Sequence, residues 1–573
     1  MVSAMRTYPV WQVAHQGPYV SLLDTLLANR NLNIDELEVG AEGLHPPEQL
    51  LDLQRGVERI ERSIRRDEHI VIFGDYDVDG VSSTALMLDF LDHVGASCDF
   101  LLPDRHHDGY GLKPPGVRRA LELGARLIIT VDNGISAFEA LQVARAQSVD
   151  VVVIDHHRQN VELPPAHSII NPNRLDCDYP FKGLAGVGVT FKVVQRLSEA
   201  FLAGDQRRRY LNDLLDLFAL GTVADIVPLL DENRILLRYG LRVADRSTRP
   251  GFQALRGVAR VKGRLDTRAI GFYLGPRLNV AGRLEKPDLA LELLRTDDSE
   301  RARELAGQLD DLNARRRQMQ KQGIQEALSL VGDEDLERER LICSLGEEWD
   351  LGVIGLIASA LCETFSRPAV AVTDVKRDGT YVGSARSIPG YDVNDGIRAC
   401  SEFLTTYGGH AAAAGFSLPG DRYEEFRAAL IDNANANLSV KDLQASLHID
   451  TELDVADIHY ETVKSLARLE PFGQGNPVPV FVTRNLEVES FSRVGREAEH
   501  LKVVFRSESA TRPAIWWRQG EVADALEAGS RVDAAYELSL DAYKGLETAQ
   551  MVVKDLCLPG AGASASEGGP VTV

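Results

Sequence analysis

Three short apolar segments in the first half of the chain each lead directly into acidic residues. The residues that follow HIVIFG, RLIITV and DVVVI are, in turn, Asp75, Asp77 and Asp79; Asp132; and Asp155, His156 and His157. Amphipathic helical segments such as VSSTALMLDFLDHVG and SAFEALQVARAQ separate the apolar ones. This alternation predicts a parallel sheet covered by helices. Because ligands bind at the carboxyl ends of parallel strands, the acidic residues should converge there.

The predicted acidic cluster requires a counter-charge. Five aspartates at one sheet edge would repel one another, and their pKa values would rise unless cations neutralised them. Carboxylate oxygens with one or two imidazoles suit Mn²⁺ or Mg²⁺, whereas a site without thiolates is a poor structural zinc site. The imidazoles favour Mn²⁺. The sequence therefore predicts a divalent metal site, with phosphoester chemistry as its use.

Each motif also has a simpler explanation. The D-x-D-x-D-G pattern at 75–80 superficially resembles a calcium loop, but an EF-hand needs a glutamate where this chain has Leu86, and a helix in place of the preceding strand. Four other residues could have ordinary roles in turns, helix caps or solvent contacts: Asp132, His156, His157 and Asp225. Only their convergence would distinguish a metal site from these alternatives.

Composition limits the class of protein. A chain of 573 residues is long enough for several domains. No apolar run approaches the roughly 20 residues that cross a bilayer, and the first residues lack the pattern of a secretory signal. The six cysteines form no C-x-x-C pair. We therefore expect a multidomain cytoplasmic protein without a structural zinc site or a redox couple.

One segment is strongly basic although the chain as a whole is acidic. The net charge of −22 argues against unspecific adhesion to nucleic acid. Between Arg234 and Lys286, however, thirteen lysines and arginines face only three acids. A solvated helical face is the alternative, but such faces normally mix both signs. We predict a surface that contacts polyphosphate.

The pattern of predicted strands and helices divides the chain into six parts. Alternating strands and helices occur twice, a long helix with Ser299 as its predicted cap connects them, and short alternating strands resembling a β-barrel follow. The predicted parts are an N-terminal helical segment (1–48), a catalytic α/β domain (49–287), a connecting helix (288–335), a second α/β domain (336–440), a β-barrel (441–558) and a disordered tail (559–573).

The motifs, taken in order, resemble a known family. The D-H-H at 155–157, after D-x-D-x-D and V-D-N-G, resembles the DHH phosphoesterase superfamily. Within it, GDYDVDGVSSTA, PDRHHDGYGL, TVDNGIS, VIDHH, LAGVGV, ALGTVADIVPL and GPRLNVAGRL resemble the RecJ family of bacterial single-strand-specific 5′ to 3′ exonucleases, over about residues 50–557. The resemblance implies a parallel-sheet DHH domain, joined by a long helix to a smaller α/β DHH-associated domain, and a C-terminal OB-fold barrel.

The same resemblance implies the roles of the acidic cluster. Two divalent ions, Mn²⁺ or Mg²⁺, would be held with Asp132 bridging them, and His157 would face the scissile phosphate. The implied metal ligands are Asp75, Asp77, Asp79, Asp132, His156 and Asp225. The implied catalytic residues are Asp77, Asp79, Asp132, His156, His157 and Asp225.

Further residues resemble the substrate-holding parts of the family. GSARS and GGHAAAAGF resemble the segments of the DHH-associated domain that hold nucleotide phosphates. The implied substrate-binding residues are Arg105, Tyr110, His157, Arg277, Asn279, Arg283, Ser384, Arg386, Gly408, Gly409 and His410. A solvent-facing loop is the alternative for Arg105 and Tyr110.

The predicted barrel offers its own candidates for contact with a single strand. They are Lys502, Trp516, Trp517, Arg518 and Tyr543. Because neighbours on a strand face opposite ways, at least one of the two tryptophans should be buried. One position departs from the family pattern, since Trp349 is followed by Asp350 where relatives commonly have histidine. Any role of that histidine in substrate handling is therefore in doubt here.

The resemblance implies an exonuclease that degrades single-stranded DNA from a free 5′ end and releases 5′-mononucleotides in DNA repair and recombination. A single-strand-binding protein and a helicase are its expected partners, and no membrane is expected. Two alternatives remain. A small-molecule DHH phosphatase would need neither the barrel nor the basic segment, and a non-catalytic scaffold could have lost the ligands that this chain retains.

Overall fold

The structure is a computed structural model. It describes residues 8–15, 21–105, 108–109, 111–159, 162–374, 378–508, 510–541 and 547–559. Tyr110, Tyr543 and all but the first residue of the predicted disordered tail lie outside the described residues. Among the helices that are described, none combines the length and the apolar character needed to cross a bilayer.

The N-terminal segment combines a strand with short helices. Its elements are β1 (Val10–His15), α1 (Leu22–Asn29) and α2 (Ile34–Glu38). The Ser21 hydroxyl caps α1 by accepting a hydrogen bond from the amide of Asp24. The prediction of a purely helical segment is therefore wrong for β1.

A five-stranded parallel sheet forms the centre of the first α/β domain. Its elements, in chain order, are α3 (Leu53–Arg65), β2 (Ile70–Phe73), α4 (Val78–His93), β3 (Cys98–Leu101), α5 (Pro114–Glu122), β4 (Leu127–Val131), α6 (Phe138–Ala146), β5 (Asp150–Ile154), β6 (Ser168–Ile170) and α7 (Gly186–Leu197). The strand order is β3-β2-β4-β5-β6, with every pairing parallel. The central strands β2 and β4 are buried throughout, as expected for a sheet covered on both faces. The predicted parallel sheet is confirmed.

A helical region follows and leads out of the first domain. Its helices are α8 (Gly204–Asp213), α9 (Leu215–Ala224), α10 (Asp231–Asp245), α11 (Pro250–Ala259), α12 (Thr267–Ala269), α13 (Gly275–Asn279), α14 (Ala281–Leu284), α15 (Asp288–Arg295), α16 (Ser299–Leu330) and α17 (Asp333–Arg338). Helix α16 packs against α11 of the first domain and against a helix of the second, so it connects the two. Its cap is Asp298, whose carboxylate accepts from the amides of Glu300 and Arg301. The prediction that Ser299 caps this helix is wrong by one residue.

The second α/β domain has a mixed sheet. Its elements are β7 (Ile342–Gly346), α18 (Ile354–Phe365), β8 (Ala369–Thr373), β9 (Thr380–Arg386), α19 (Val393–Ala399), β10 (Thr406–His410), β11 (Ala413–Pro419) and α20 (Tyr423–Asn437). The order is β10-β11-β9-β8-β7, in which only β7 and β8 pair in parallel.

Within its described residues, the C-terminal domain has six strands, of which five form a barrel and the first lies outside it. Its elements are β12 (Ser446–Glu452), α21 (Tyr460–Leu466), β13 (Phe481–Val494), β14 (His500–Arg506), β15 (Thr511–Trp516), β16 (Arg531–Asp541) and β17 (Thr548–Cys557). Strands β13, β14, β15, β17 and β16 pair in that order. The last strand, β16, also pairs with the first, β13, which closes the barrel. The predicted OB-fold barrel is confirmed.

The N-terminal segment is built into this distant barrel domain. Strand β1 pairs in parallel with β12, and β12 pairs with β13. The buried Trp11 indole donates to Asp555 Oδ2 on β17 at 2.7 Å. Leu26 of α1 also belongs to the barrel core. Folding of the barrel domain therefore uses both ends of the chain.

Replacement of Trp11 by alanine should destabilise the barrel domain by about 3–5 kcal/mol, because a fully buried indole is lost. Trp11→Phe should cost less, since most of the apolar contact remains and only one donor to Asp555 is removed. Urea unfolding followed by tryptophan fluorescence and circular dichroism measures both variants. A wild-type transition in Trp11→Ala would show that β1 does not support the barrel.

Candidate metal centre

The carboxyl ends of β2, β4 and β5 meet at one edge of the first sheet, as the sequence predicts. Asp75 follows β2 closely, Asp132 comes directly after β4, and Asp155 comes directly after β5. Asp77 caps α4 by accepting from the amide of Gly80 at 3.1 Å, and Asp79 lies in the first turn of that helix. Parallel pairing of the strands is thus what brings the acids together.

His156 lies at the centre of the acidic residues. Its Nε2 atom is 3.1 Å from Asp132 Oδ1, 3.7 Å from Asp225 Oδ2 and 3.9 Å from Asp79 Oδ2. Asp225 is brought there by the end of α9, which packs against α4. Residues distant from one another in sequence therefore form one site.

The side chains form overlapping groups of possible metal ligands. In each group, the ligand atoms lie within 4.8 Å of one another; the groups are Asp75, Asp77 and Asp132; Asp79, His156 and Asp225; and Asp132, His156 and His157. Asp132 belongs to two groups that share no other member, so it would be the ligand common to two cations. All six predicted metal ligands are present among these groups.

The donor atoms fit divalent cations. Asp132 Oδ1 and His156 Nε2 are both buried, and neither atom has a hydrogen-bond partner within the described residues. The two atoms lie 3.1 Å apart. A buried carboxylate oxygen without a partner is costly. A cation that both atoms coordinate would satisfy them, and mixed carboxylate and imidazole ligands suit Mn²⁺ and Mg²⁺.

The backbone at the start of α7 orients one of these ligands. Asp79 accepts from the amides of Gly186 at 2.6 Å and of Val187 at 2.9 Å. A Cβ atom at Gly186 would lie 2.4 Å from Asp132 Oδ1, and one at Gly221 would lie 2.7 Å from Asp79 Oδ1. Both glycines are therefore needed so that helices α7 and α9 can approach the carboxylates. This close approach explains why the LAGVGV motif has a glycine at position 186.

Burial and mutual repulsion raise the pKa values of the carboxylates. Burial is the larger cause for Asp75, Asp79, Asp132 and Asp225, and neighbouring carboxylates add to it. The pKa of Asp79 rises to about 7 and that of Asp225 to about 9. Divalent cations would reverse this effect by neutralising the charges.

The two histidines have opposite electrostatic environments. Burial, followed by the positive charge of His157, lowers the pKa of His156 to about 3, which keeps it neutral as a metal ligand must be. Burial also disfavours charge on His157, but Asp155 outweighs it and raises the pKa of His157 to about 9. The carboxylates around His157, Asp155 above all, therefore favour its protonated form.

Asp155 supports the histidines. It accepts from His157 Nδ1 at 2.8 Å and from the amides of Ile135 and His156. These contacts outweigh burial and lower its pKa to about 2. Asn171 and Asn173 donate to the backbone carbonyls of His157 and His156, respectively. Sequence reasoning missed both asparagines, and the NPN motif that contains them was the available signal.

The second α/β domain faces the metal centre across a cleft. The His410 ring, at the end of β10, stacks on that of His157 with centroids 6.4 Å apart and an angle of 17°. Gly408 and Gly409 on the same strand are exposed. The predicted GGH segment thus lies opposite the metal ligands.

Two more predicted residues of this domain lie near the first turn of α18. The Arg386 guanidinium donates to Ser384 Oγ at 3.2 Å and to the Ala385 carbonyl at 2.8 Å. A Cβ atom at Gly355 would lie 3.0 Å from Arg386 Nη2 and 3.2 Å from Ser384 Oγ. Gly355 therefore leaves room for both side chains at the edge of the cleft.

The predicted substrate-binding residues of the first domain contact different parts of the protein. The Arg105 guanidinium lies over the Tyr76 ring, 4.3 Å from its centroid. Asn279 Oδ1 accepts from the amide of Val78, beside the metal ligands, and Arg283 donates to the carbonyl of Gly352 in the second domain. Of these residues, Arg283 thus contacts the second domain, whereas Arg105 and Asn279 contact residues next to the metal ligands.

Arg277 is a correction to the predicted substrate-binding set. Arg277 is buried. Its Nε donates to Asp310 Oδ1 at 2.9 Å, and its Nη2 lies 2.8 Å from the same oxygen. It also donates to the Tyr273 carbonyl. Its charge is neutralised inside the protein, so it anchors α13 to α16 and is not available to a substrate.

Part of the basic segment 234–286, predicted as a polyphosphate contact surface, is instead used inside the protein. Several of its arginines have partners within the protein: Arg234 donates to the Arg468, Leu469 and Glu470 carbonyls, Arg238 to those of Leu37 and Val39, Arg249 pairs with Asp89 and Asp216, and Arg256 with Asp245. Much of the positive charge therefore joins helices and domains.

Asp350, which replaces the family's usual histidine, has a structural role. Its Oδ1 accepts from the amide of Gly352 at 2.7 Å, and its carbonyl accepts from the amide of Val353. It thus shapes the turn before α18, whose Gly352 carbonyl binds Arg283. Trp349 beside it is buried, and its indole donates to Glu326.

On the barrel, the two adjacent tryptophans face opposite ways, as predicted. Trp516 is buried at 4% exposure, whereas Trp517 is 49% exposed. The Trp517 ring contacts that of His500 edge to face, with centroids 4.7 Å apart. Lys502 and Arg518 are exposed. Of the tryptophans, only Trp517 can contact an external base.

Comparison with known proteins agrees with this architecture. Three family models match, described as the DHH family, N-terminal domain (residues 69–222), the DHHA1 domain (residues 339–436) and the RecJ OB domain (residues 449–555). They correspond in order to the parallel-sheet domain, the mixed-sheet domain and the barrel.

Relatives match along the whole chain. The chain is 38% identical over 559 residues to the single-stranded-DNA-specific exonuclease RecJ of Escherichia coli (strain K12), covering 93% of this chain and 95% of that protein. The crystal structure of RecJ in complex with Mn²⁺ from Thermus thermophilus superposes with a TM-score of 0.79 at 28% identity, covering 96% of this chain and 80% of that one. The corresponding Mg²⁺ complex gives a TM-score of 0.74 at 27% identity, covering 96% and 78%. Similarity at this level, along nearly the full length of curated relatives, shows that the protein belongs to the RecJ family of DHH phosphoesterases.

Proposed function

We propose that the protein is an exonuclease specific for single-stranded DNA, which begins at a free 5′ end and releases 5′-mononucleotides. The observation that carries the proposal is the position of Asp132, which belongs to two groups of possible metal ligands, one of which includes His157, stacked on His410 of strand β10. The relatives named as single-stranded-DNA-specific exonucleases support the substrate.

The six ligands Asp75, Asp77, Asp79, Asp132, His156 and Asp225 would hold two divalent cations, Mn²⁺ or Mg²⁺. When bound, such ions polarise phosphoryl oxygens, lower the pKa of water and neutralise the charge that develops during in-line hydrolysis. The chain contributes the geometry. Gly186 and Val187 fix the orientation of Asp79, and Asp155 fixes that of His157.

His157 would bind the scissile phosphate. Although burial disfavours its charge, Asp155 raises the pKa of His157 and accepts a hydrogen bond from its Nδ1 atom, which fixes the ring and favours its protonated form. An imidazolium donor to a non-bridging oxygen stabilises the negative charge of the phosphoryl group. His410, stacked on the other side, would contact the adjacent phosphate.

The remaining predicted residues would position the strand. Arg105, Ser384 and Arg386 would bind the terminal phosphate, Asn279 and Arg283 would line the scissile side, and Gly408 and Gly409 would allow close approach of the backbone. Exposed Trp517, Lys502 and Arg518 on the barrel would follow the strand beyond the cleft. A small-molecule phosphatase would have no use for the barrel.

We further propose a cytoplasmic location and a role in DNA repair and recombination. A free 5′ end would be supplied by enzymes that open or cut duplex DNA, so a helicase and a single-strand-binding protein are the expected partners. The acidic net charge of −22 favours local phosphate contacts over unspecific adhesion.

Asp132→Ala should strongly reduce the release of nucleotides from 5′-labelled single strands, because it removes the ligand shared by both cations. Loss of a residue that only supports a metal ligand typically costs roughly 10- to 100-fold, and the loss here should be larger. Asp99→Asn, an exposed acid on β3 of the same sheet, should retain activity. Degradation from the 3′ end by the wild type, or full activity of Asp132→Ala, would contradict the proposed function.

Metal should stabilise the protein more at high pH than at low pH. The raised pKa values mean that, above about pH 4, the folded carboxylates retain protons that the unfolded chain has lost. Without metal, stability therefore falls as the pH rises to about 9. Added Mg²⁺ should raise the Tm more at about pH 8.5 than at about pH 6. Equal increments in differential scanning fluorimetry would indicate binding elsewhere.

Trp517→Ala should weaken binding of a long single strand by about 5-fold or more, because one stacking platform is lost, and should leave hydrolysis of a dinucleotide unchanged. Trp517→Phe, which preserves a stacking ring, should bind nearly as the wild type does. Fluorescence anisotropy with labelled oligonucleotides measures the affinities. Equal losses on both substrates would mean that Trp517 supports folding instead.

A further inference from the structure

One buried asparagine joins two segments of the chain that lead into the metal centre. Asn233 lies in the first turn of α10, which packs against α9. Its side-chain Nδ2 donates to the carbonyl of Gly183 at 2.6 Å and to that of Pro228 at 2.9 Å. The residue is 0% exposed. A single amide group therefore connects the segment before α7 with the segment after α9.

The segment before α7 orients two of the predicted metal ligands. Gly183 is followed by Leu184, whose backbone forms a hydrogen bond with the His156 ring. Metal-ligating histidines generally donate their second ring N–H to such a group, which fixes the orientation of the ring. The amides at the start of α7, directly beyond this segment, donate to Asp79. A displacement of Gly183 would therefore move the groups that orient both His156 and Asp79.

The segment after α9 carries a third predicted ligand. Asp225 ends α9, and Pro228 follows three residues later. Between them, Ile226 has a positive φ of 59°. A β-branched residue is strained in this left-handed conformation and keeps it only where surrounding contacts hold the backbone. The hydrogen bond from Asn233 to the Pro228 carbonyl is such a contact.

The first turn of α10 is itself fixed on both sides of Asn233. Glu232 is buried and pairs with the buried Lys192 of α7. Arg234 donates to the backbone carbonyls of residues 468–470 in the C-terminal domain. Asn233 therefore projects from a turn that is anchored to α7 and to the C-terminal domain, and it can act as a rigid support.

We propose that Asn233 is a positioning residue for one of the two cation sites, the one formed by Asp79, His156 and Asp225. The ligand atoms of these three residues lie within 4.8 Å of one another. Both hydrogens of the Asn233 amide are used to hold the two segments that orient or carry them. The inference rests on the proposed function, because it takes these residues as metal ligands. It adds that the two sites depend on different supports.

Titration of Mn²⁺ into the metal-free protein, followed by calorimetry, tests the inference. The wild type should bind two ions. Asn233→Leu fills a similar volume but donates no hydrogen bond, so the affinity of one site should fall by roughly 10- to 100-fold, the usual effect of losing a residue that supports a metal ligand. The other site should keep its affinity. Asn233→Ser, which retains one hydroxyl donor, should show a smaller loss at the same site.

The weakened site can be identified by its ligands, because electron spin-echo envelope modulation detects imidazole nitrogen coupled to Mn²⁺. The wild type with both sites filled should show this coupling. Asn233→Leu at one ion per protein should lack it, since the remaining ion would lie beside Asp75 and Asp77. As a matched control, Asn29→Ala removes an amide donor to the Asp450 carbonyl in the C-terminal domain and should behave as the wild type does in both measurements.

The outcomes separate the inference from the proposed function. A wild type that binds fewer than two Mn²⁺ ions would overturn the two-cation centre itself. A wild type that binds two ions, together with unchanged affinities in the Asn233 variants, would overturn the inference alone. Equal weakening of both sites, nitrogen coupling at one ion per protein, or the same loss in Asn29→Ala would also overturn it. If Asn233→Leu does not fold, Asn233→Ser decides by the same criteria.

Discussion

Repulsion among buried carboxylates is the constraint on which the rest of the structure depends. Parallel strands β2, β4 and β5 bring their acidic ends to one edge, and helix α9 adds Asp225. Burial and mutual repulsion hold the pKa values of these groups well above their usual range. Such an arrangement is costly without cations. At neutral pH the fold therefore retains a site that favours divalent metal, which is the basis for phosphodiester hydrolysis.

The domain arrangement gives this site its substrate. The second α/β domain places His410 against His157, and Arg283 reaches across the junction to the Gly352 carbonyl. Helix α16 packs against both domains and so holds them together. The barrel extends the path with exposed Trp517 and is itself completed by strand β1 from the N-terminal segment. Positive groups thus surround the cleft although the protein as a whole is acidic.

Local patterns predicted the strands and the convergence of the acidic residues, because apolar runs ending in aspartate specify both a parallel strand and the edge at which it ends. Side-chain orientation was less predictable. Arg277 lies in a basic segment, yet it points to Asp310. Nothing in the sequence of β1 indicates its partner β12, because pairing between the two ends of the chain depends on the assembled barrel.

The most direct test of the central claim, that Asp132 is shared by two cations, is anomalous diffraction from crystals grown with Mn²⁺. The account predicts two anomalous peaks that both lie within coordination distance of the Asp132 carboxylate, one also beside His156 and Asp225 and the other beside Asp75 and Asp77. A single peak, or two peaks of which one is remote from Asp132, would contradict it.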